Sequence, residues 1–152
     1  MQFKTQSHQL FSLNHVKWDC TYHIIFTPKY RKKILYGQVR KRAGEILRTL
    51  CRQKQVDILE GYAVHDHIHM VMKIPPKYSI AMVVGFIKGK SAIQLHREFG
   101  KQYKSYYGKS FWSRGYYVST VGLDEEMIKQ YVRDQEKHDQ QADGDRIEMK
   151  WA

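Results

Sequence analysis

Strict alternation sets in at Val16, with Val16, Trp18, Cys20, Tyr22, Ile24 and Phe26 on one side and Lys17, Asp19, Thr21 and His23 on the other. This predicts a half-buried strand over 16–26. Pro28 and the run KYRKK end it. The period then changes: in GQVRKRAGEILRTLCRQK, residues Val39, Ala43, Ile46, Leu47 and Leu50 recur at helical spacing beneath a basic outer face, which predicts the first helix. VDILEGYAV and HIHMVMKI read as two strands joined tightly near His65 and Asp66, with Pro75 and Pro76 closing the second. Ser79 is a plausible N-cap for a helix carrying Ile80, Val83, Val84 and Ile87, extending towards Phe99 despite Gly85 and Gly89, with Gly100 as its stop. The polar residues 1–14 predict a loose arm. KQYKSYYGKS at 101–110 predicts a basic, tyrosine-rich loop, and FWSRGYYVSTV an aromatic strand. After Gly122 the acidic DEE opens a last helix over 124–138, where negative charge suits the helix dipole, and 140–152 reads as a frayed tail.

Strand, helix, strand, strand, helix, strand, with one appended helix, predicts a single α+β domain over 1–152. Its plan is a ferredoxin-like, split βαβ antiparallel sheet with helices on one face and the other face free for a ligand. The chain of 152 residues is long enough to close a core without disulfide or metal staples. Its two cysteines, Cys20 and Cys51, lie inside apolar patterns and read as reduced packing residues. No apolar run approaches membrane-spanning length, and the N-terminal residues lack the unbroken apolar core of a signal peptide. The expectation is a cytoplasmic protein with no membrane partner.

Charge adds a partner. The 26 Lys and Arg against 15 Asp and Glu leave a formal net charge of +11, which suggests a polyanion, nucleic acid first. Eleven tyrosines among these cations suit unpaired bases, which stack on rings while phosphates meet ammonium groups, although sheet packing accounts for most of them. The candidate DNA contacts are Lys29, Arg31, Lys32, Lys33, Lys88, Lys90, Lys101 and Lys104. GFIKGKS at 85–91 is close to a phosphate-binding loop, but that motif needs four residues between its glycines, and here only three separate Gly85 from Gly89. The segment also lies within a predicted helix. Lys88 and Lys90 are therefore read as phosphate-facing or simply solvated cations.

VHDHIHMVM at 64–72 sets histidines at every second position. Alternation puts His67, His69 and Val71 on one face and Ile68, Met70 and Met72 on the other. The apolar face goes to the core, leaving two imidazoles about 7 Å apart along the strand, close enough to tilt onto one ion. A pair of sheet-surface histidines is also often merely solvated, and the pair alone leaves both readings open. The last helix adds Tyr131 and Gln135, four residues apart and so on one face, continuing the stripe of Met127 and Ile128. By itself Tyr131 reads as packing. His-hydrophobic-His on a strand followed by Tyr-x-x-x-Gln on a late helix is far more specific than either half.

The chain thereby resembles the small single-tyrosine HUH transposases of bacterial insertion sequences, the insertion-sequence 200/605 type. The resemblance runs through WDCTYHIIFTPKYR, ILEGYAVHDHIHMVMKIPP, FIKGKS, FWSRGYYVSTVG and IKQYVRDQ, most of residues 15–138. It implies an enzyme that transposes DNA through single strands: hairpins near the element's ends are recognised, one strand is cut, and DNA is joined to a tyrosine. His67 and His69 match the HUH pair around Ile68, Tyr131 the nucleophile and Gln135 the third metal ligand. His65 falls outside the pattern, because His65-Asp66-His67 lacks the hydrophobic middle residue. The resemblance further implies a divalent cofactor, Mg2+ or Mn2+, a homodimer whose active sites are shared between subunits, and a place with the DNA of a prokaryotic cytoplasm.

These residue types suit that chemistry. A tyrosine hydroxyl has a pKa near 10, so about one in a thousand is ionised at neutral pH, and an unaided phenol is a poor nucleophile. A divalent ion on His67, His69 and Gln135 would be held by neutral ligands, keeping its double charge for a phosphate. Two imidazoles by themselves favour zinc or a similar metal, whereas phosphate oxygens and waters favour the harder ion that the resemblance implies. Two other classes share parts of the pattern. One is another HUH nuclease, acting on repeated hairpins or replication origins. The other is a non-catalytic RNA- or single-strand-binding module of the RNA-recognition kind, whose aromatic recognition motif is missing here.

Overall fold

Ile24 and Phe26 on one strand and Ile68, Met70 and Met72 on another bury their side chains together, and the rest of the molecule is arranged around that face. The computed structural model describes residues 18–101, 111–120 and 125–151. Its elements are β1 (Thr21–Phe26), a 3-10 turn (Lys29–Arg31), α1 (Gly37–Gln53), β2 (Asp57–Val64), β3 (His67–Lys73), α2 (Ile80–Phe99), β4 (Tyr117–Ser119) and α3 (Glu125–Trp151). The strands form one antiparallel sheet in the order β2-β3-β1-β4. With α1 and α2 on one face this is the α+β, split βαβ plan read from the pattern.

Val39, Ala43, Ile46, Leu47 and Leu50 of α1 and Val83, Val84, Ile87 and Leu95 of α2 close the core over the Ile24, Phe26 and Met72 side of the sheet. Helical spacing on the helices and alternation on the strands meet there, so both periods serve one core. The Ser79 hydroxyl accepts from the Met82 N–H at 3.0 Å and caps α2. Cys20 and Cys51 are free thiols, and burial pushes Cys51 up to about 12, an unreactive packing group. Among the described residues no helix is long and apolar enough to cross a membrane.

Several boundaries differ from the sequence reading. β1 begins at Thr21, and the expected start at Val16 lies outside the described residues, as do the arm and residues 102–110 of the basic loop. FWSRGYYVSTV is not one strand: Trp112 makes an isolated bridge with Pro28, and only Tyr117–Ser119 joins the sheet. Gly115, at φ +82°, breaks the extension between them. Helix α3 does not stop near His138 but continues to Trp151, because the Gln, Ala, Arg, Glu, Met and Lys of the expected tail are good helix formers that outweigh Gly144. The second sheet face is not free either. Ile25, which points there, is fully buried, and α3 lies on that side, its Tyr131 ring 5.8 Å from Tyr117.

Candidate active site

Register decides which side chains share the second face. Antiparallel partners point the same way, so His23 opposite Val71, Ile25 opposite His69 and Tyr117, and Val64 opposite His67 place three histidines on one surface. His67 and His69 stand there as alternation predicts, half-buried. His67 Nδ1 lies 2.9 Å from Asp66 Oδ1. A carboxylate only accepts, so Nδ1 carries the proton and Nε2 is the ring nitrogen left with a lone pair. His69 Nε2 lies 3.4 Å from His23 Nδ1. Burial first, then the neighbouring His23 and His67, holds the His69 imidazole below its ordinary range, which keeps it neutral to lower pH. His65, at the β2–β3 turn, stacks on Tyr36, ring centroids 5.8 Å apart and nearly parallel.

On α3, Tyr131, Gln135 and Asp139 follow at four-residue intervals and form one stripe. Gln135 Nε2 donates to the Tyr131 hydroxyl at 2.8 Å and to the Arg114 carbonyl at 2.8 Å. Burial raises the Tyr131 phenol above its usual value, the Gln135 hydrogen bond works the other way, and the negative Asp139 adds to the rise. Asp139, only 4% exposed, accepts from the Tyr30 N–H at 2.9 Å and from the Ser113 hydroxyl. Ser113 also receives the Thr27 hydroxyl at 3.0 Å. Tyr30 and Arg31 sit at φ 60° and 51°, a strained conformation for residues with side chains, which turns the Tyr30 N–H towards the helix.

Arg31 connects the two halves. Its Nε lies 3.2 Å from Glu136 on α3 and 3.9 Å from Asp66, the partner of His67. These are ion-pair contacts without an aligned hydrogen bond, since Nε is buried and makes none. A cleft of about 230 Å³ opens beside them, lined by Arg31, His65, Asp66 and His67 on one side and Ile128, Lys129, Val132 and Arg133 on the other. The start of β3 thus faces the helical turns on either side of Tyr131, while Tyr131 and Gln135 themselves contact Tyr117 and Arg114 beside β4.

The expected DNA contacts divide. Lys29 and Lys32 place their ammonium groups 5.7 and 5.9 Å from the centre of the Tyr30 ring, and Lys33, Lys90 and Lys101 are exposed. Lys104 lies outside the described residues. Arg31 and Lys88 turn inward. Lys88 Nζ donates to the Ser113 and Gly115 carbonyls at 2.7 and 2.5 Å, and burial lowers its pKa to about 8 although Asp139 opposes the shift. Sequence reasoning placed His23 on the polar side of its strand but assigned it no part, and it missed Asp139 and Ser113. Strand register was the lacking information for His23. For Asp139 a signal existed in the four-residue stripe it continues from Tyr131 and Gln135.

Among the described residues, no three His, Cys, Asp or Glu side chains are arranged to hold a metal ion. The expected ligand set adds the amide of Gln135, whose hydrogen bonds here go to Tyr131 and Arg114. The Asp66 carboxylate hydrogen-bonded behind His67 is the partner that a metal-binding imidazole usually has, so the donors suit a divalent ion.

Comparisons with known proteins give the family. Residues 16–135 match the family described as "Transposase IS200 like". The "Transposase for insertion sequence element IS200" of Salmonella typhimurium, like that of Salmonella typhi, is 46% identical over 132 residues, 87% of this chain and 87% of the relative. The ISDra2 transposase TnpA of Deinococcus radiodurans is 27% identical over 125 residues, 82% of this chain and 88% of the relative. Among solved structures, a transposase from Deinococcus radiodurans superposes with a TM-score of 0.72 at 27% identity, covering 78% of this chain and 92% of that one. A REP-associated tyrosine transposase bound to a REP hairpin shares the fold at a TM-score of 0.52 and 12% identity, over 74% of this chain and 62% of that one.

Proposed function

The chain belongs to the IS200-like transposase family, and from that premise we propose that it cuts and rejoins single-stranded DNA at hairpin-bearing ends, with Tyr131 as the nucleophile. One arrangement carries the reading: Tyr131 and Gln135, hydrogen-bonded to each other at 2.8 Å, ride on a helix whose adjacent turns face Asp66 and His67 across a common cleft.

In the proposed reaction the Tyr131 oxygen attacks phosphorus and the bond from phosphorus to the 3′ oxygen breaks. The phenol loses its proton to solvent and the departing 3′ oxygen gains one. The products are a 5′-phosphotyrosine and a free 3′-hydroxyl, and because the phosphodiester energy is retained, an incoming 3′-hydroxyl reverses the step without ATP. Gln135 donates to the Tyr131 oxygen, which favours the ionised form against the burial that opposes it. His67 through Nε2, His69 and Gln135 through Oε1 are the residues that would hold Mg2+ or Mn2+. When bound, that ion supplies positive charge to the scissile phosphate and the 3′ oxygen.

The hairpin-bound fold neighbour supports a DNA hairpin as the partner, and the net charge of +11 supports binding through phosphates. A homodimer in which His67 and His69 of one chain work with Tyr131 and Gln135 of the other completes the reading. The test is incubation with single strands carrying imperfect palindromes from the element's ends, in Mg2+ or Mn2+, followed by a denaturing gel. A covalent protein–DNA band that vanishes in Tyr131→Phe is expected. No adduct with either end, in either metal, would overturn the proposal.

A further inference from the structure

The segment 113–115, between Trp112 and β4, is held at every residue, and the cation holding it is one first read as a DNA contact. Lys88 reaches from α2 to the carbonyls of Ser113 and Gly115, at 2.7 and 2.5 Å. The carbonyl between them, that of Arg114, accepts from Gln135 Nε2 at 2.8 Å. The Ser113 hydroxyl donates to Asp139, one turn beyond Gln135. Gly115 adopts φ +82°, and a Cβ there would stand 3.6 Å from Gln135 Nε2, so the backbone passes close to the amide.

A glutamine amide presents nitrogen or oxygen with nearly the same shape, and the choice decides whether it offers a cation anything. A backbone carbonyl only accepts. The amide edge facing Arg114 must therefore be the nitrogen, and its second N–H is directed at the Tyr131 hydroxyl. Oε1 is the atom that remains for an ion. This orientation is as firm as the Arg114 carbonyl, which lies outside the strand ladder in an irregular segment. The two flanking carbonyls share one ammonium, fixing the segment as a unit.

We propose that Lys88 is a positioning residue for Gln135: by clamping the carbonyls of Ser113 and Gly115 it fixes that of Arg114, which holds the Gln135 amide nitrogen and leaves its oxygen as the atom that would serve a metal. This rests on the proposed reading of Gln135 as a ligand. Lys88 serves the site without touching DNA. Its ammonium is turned to the two carbonyls and to the Phe26 ring, 5.7 Å away, whereas Lys90 remains at the surface.

The test is Mn2+ binding to the full chain without DNA, read from the free-ion paramagnetic resonance signal, in wild type, His67→Ala, Gln135→Ala, Lys88→Met and the double variant Lys88→Met/Gln135→Ala. Thermal melting verifies that each is folded. Lys88→Met and Gln135→Ala should each weaken Mn2+ by about tenfold, the scale of a lost ligand support, and the double variant should be no weaker than either. Should Lys88→Met fail to fold, Gly115→Ala disturbs the same segment from its strained φ and should weaken Mn2+ likewise. Additive losses, or wild-type Mn2+ affinity in Lys88→Met beside a weakened Gln135→Ala, would overturn the inference and leave the proposed function standing. So would lost hairpin affinity in Lys88→Met with Mn2+ binding intact, which would make Lys88 a phosphate contact. Unchanged binding in both His67→Ala and Gln135→Ala would instead remove the metal reading and the inference with it.

Discussion

Gln135 donates its amide hydrogen to the Tyr131 hydroxyl across 2.8 Å, on the same face of α3. The bond stabilises the phenolate, and it acts against burial, which raises the phenol above its usual pKa. Gln135→Leu removes only the lowering influence, so the Tyr131 pKa should climb further. At any pH below it the phenolate fraction then falls, about tenfold for each unit of rise. Ultraviolet titration of the metal-free protein, differenced against Tyr131→Phe to isolate one tyrosine among eleven, measures this directly. A phenol that titrates at or below its wild-type position in Gln135→Leu would sink the account.

The three histidines of the β2–β3 region should separate by role. His67→Ala and His69→Ala are expected to eliminate cleavage. His65→Ala should have a smaller effect, because its ring stacks on Tyr36. Asp66→Ala should weaken metal binding by about ten- to a hundredfold, since it removes the carboxylate that holds His67 in the tautomer with Nε2 free. Titration calorimetry with Mn2+ checks this, and an Asp66→Ala protein that binds as tightly as wild type would contradict it.

Asp139 anchors the stripe of Tyr131 and Gln135 to the sheet side. Asp139→Ala leaves the Tyr30 N–H without its buried acceptor and leaves the Ser113 hydroxyl only the Pro28 carbonyl at 3.2 Å, at a cost of about 1–3 kcal/mol. A lower urea midpoint with an unchanged slope is the expected result. Adduct formation should slow more than hairpin binding weakens, because the anchor sits on the helix that carries Tyr131. A melting curve identical to wild type would rule the anchor out.

Much of this is legible in the sequence, and each exception has its own physical cause. Alternation sorted His67 and His69 from Ile68 and Met70 because a strand's faces follow from counting by two. The helices α1 and α2 followed from apolar spacing in the same way. His23 could not be joined to His69 by such counting, since their meeting depends on the register between β1 and β3. Lys88 turns inward against expectation for a different reason: charge by itself signals solvent. Yet Val84, Lys88, Ser91 and Leu95 fall at helical spacing, and the three others are buried. A long side chain within an apolar stripe can run along the core and deliver its ammonium to carbonyls beyond it. The irregular segment 113–115 has no period at all, so nothing in the sequence foretold which carbonyls it would offer.

Binding to hairpin DNA should weaken with salt, with a log-log slope near −0.7 per phosphate contacted on single strands and steeper on the paired stem. The exposed Lys90 and Lys101 are the cations to remove. Replacing either by Ala should flatten the slope by about one contact, whereas Lys88→Met should leave it unchanged. Fluorescence anisotropy across a salt series reads both, and a salt-independent affinity would contradict the phosphate-contact picture.

The last question is which chain supplies Tyr131 to a given pair of histidines. Within one chain, α3 seats on its own sheet side: Asp139 meets Tyr30 and Ser113, and Glu136 meets Arg31. An exchanged helix would find the same partners on a second copy, because exchange between identical chains preserves every contact and alters only the connection. That connection, residues 121–124, lies outside the described residues. Contacts therefore do not discriminate, but complementation does. In a heterodimer of Tyr131→Phe and His67→Ala chains, shared sites leave one site carrying both lesions and the other carrying neither. Gln135 travels with Tyr131 on the same helix, so the intact site keeps its full set. Sites closed within single chains would each carry one lesion, and both would be dead. The mixed dimer, purified through two different tags, should form the covalent adduct at one site in two, while neither parent forms any. An inactive mixed dimer of verified composition would show that each chain closes its own site, with the helix seated on the sheet it follows.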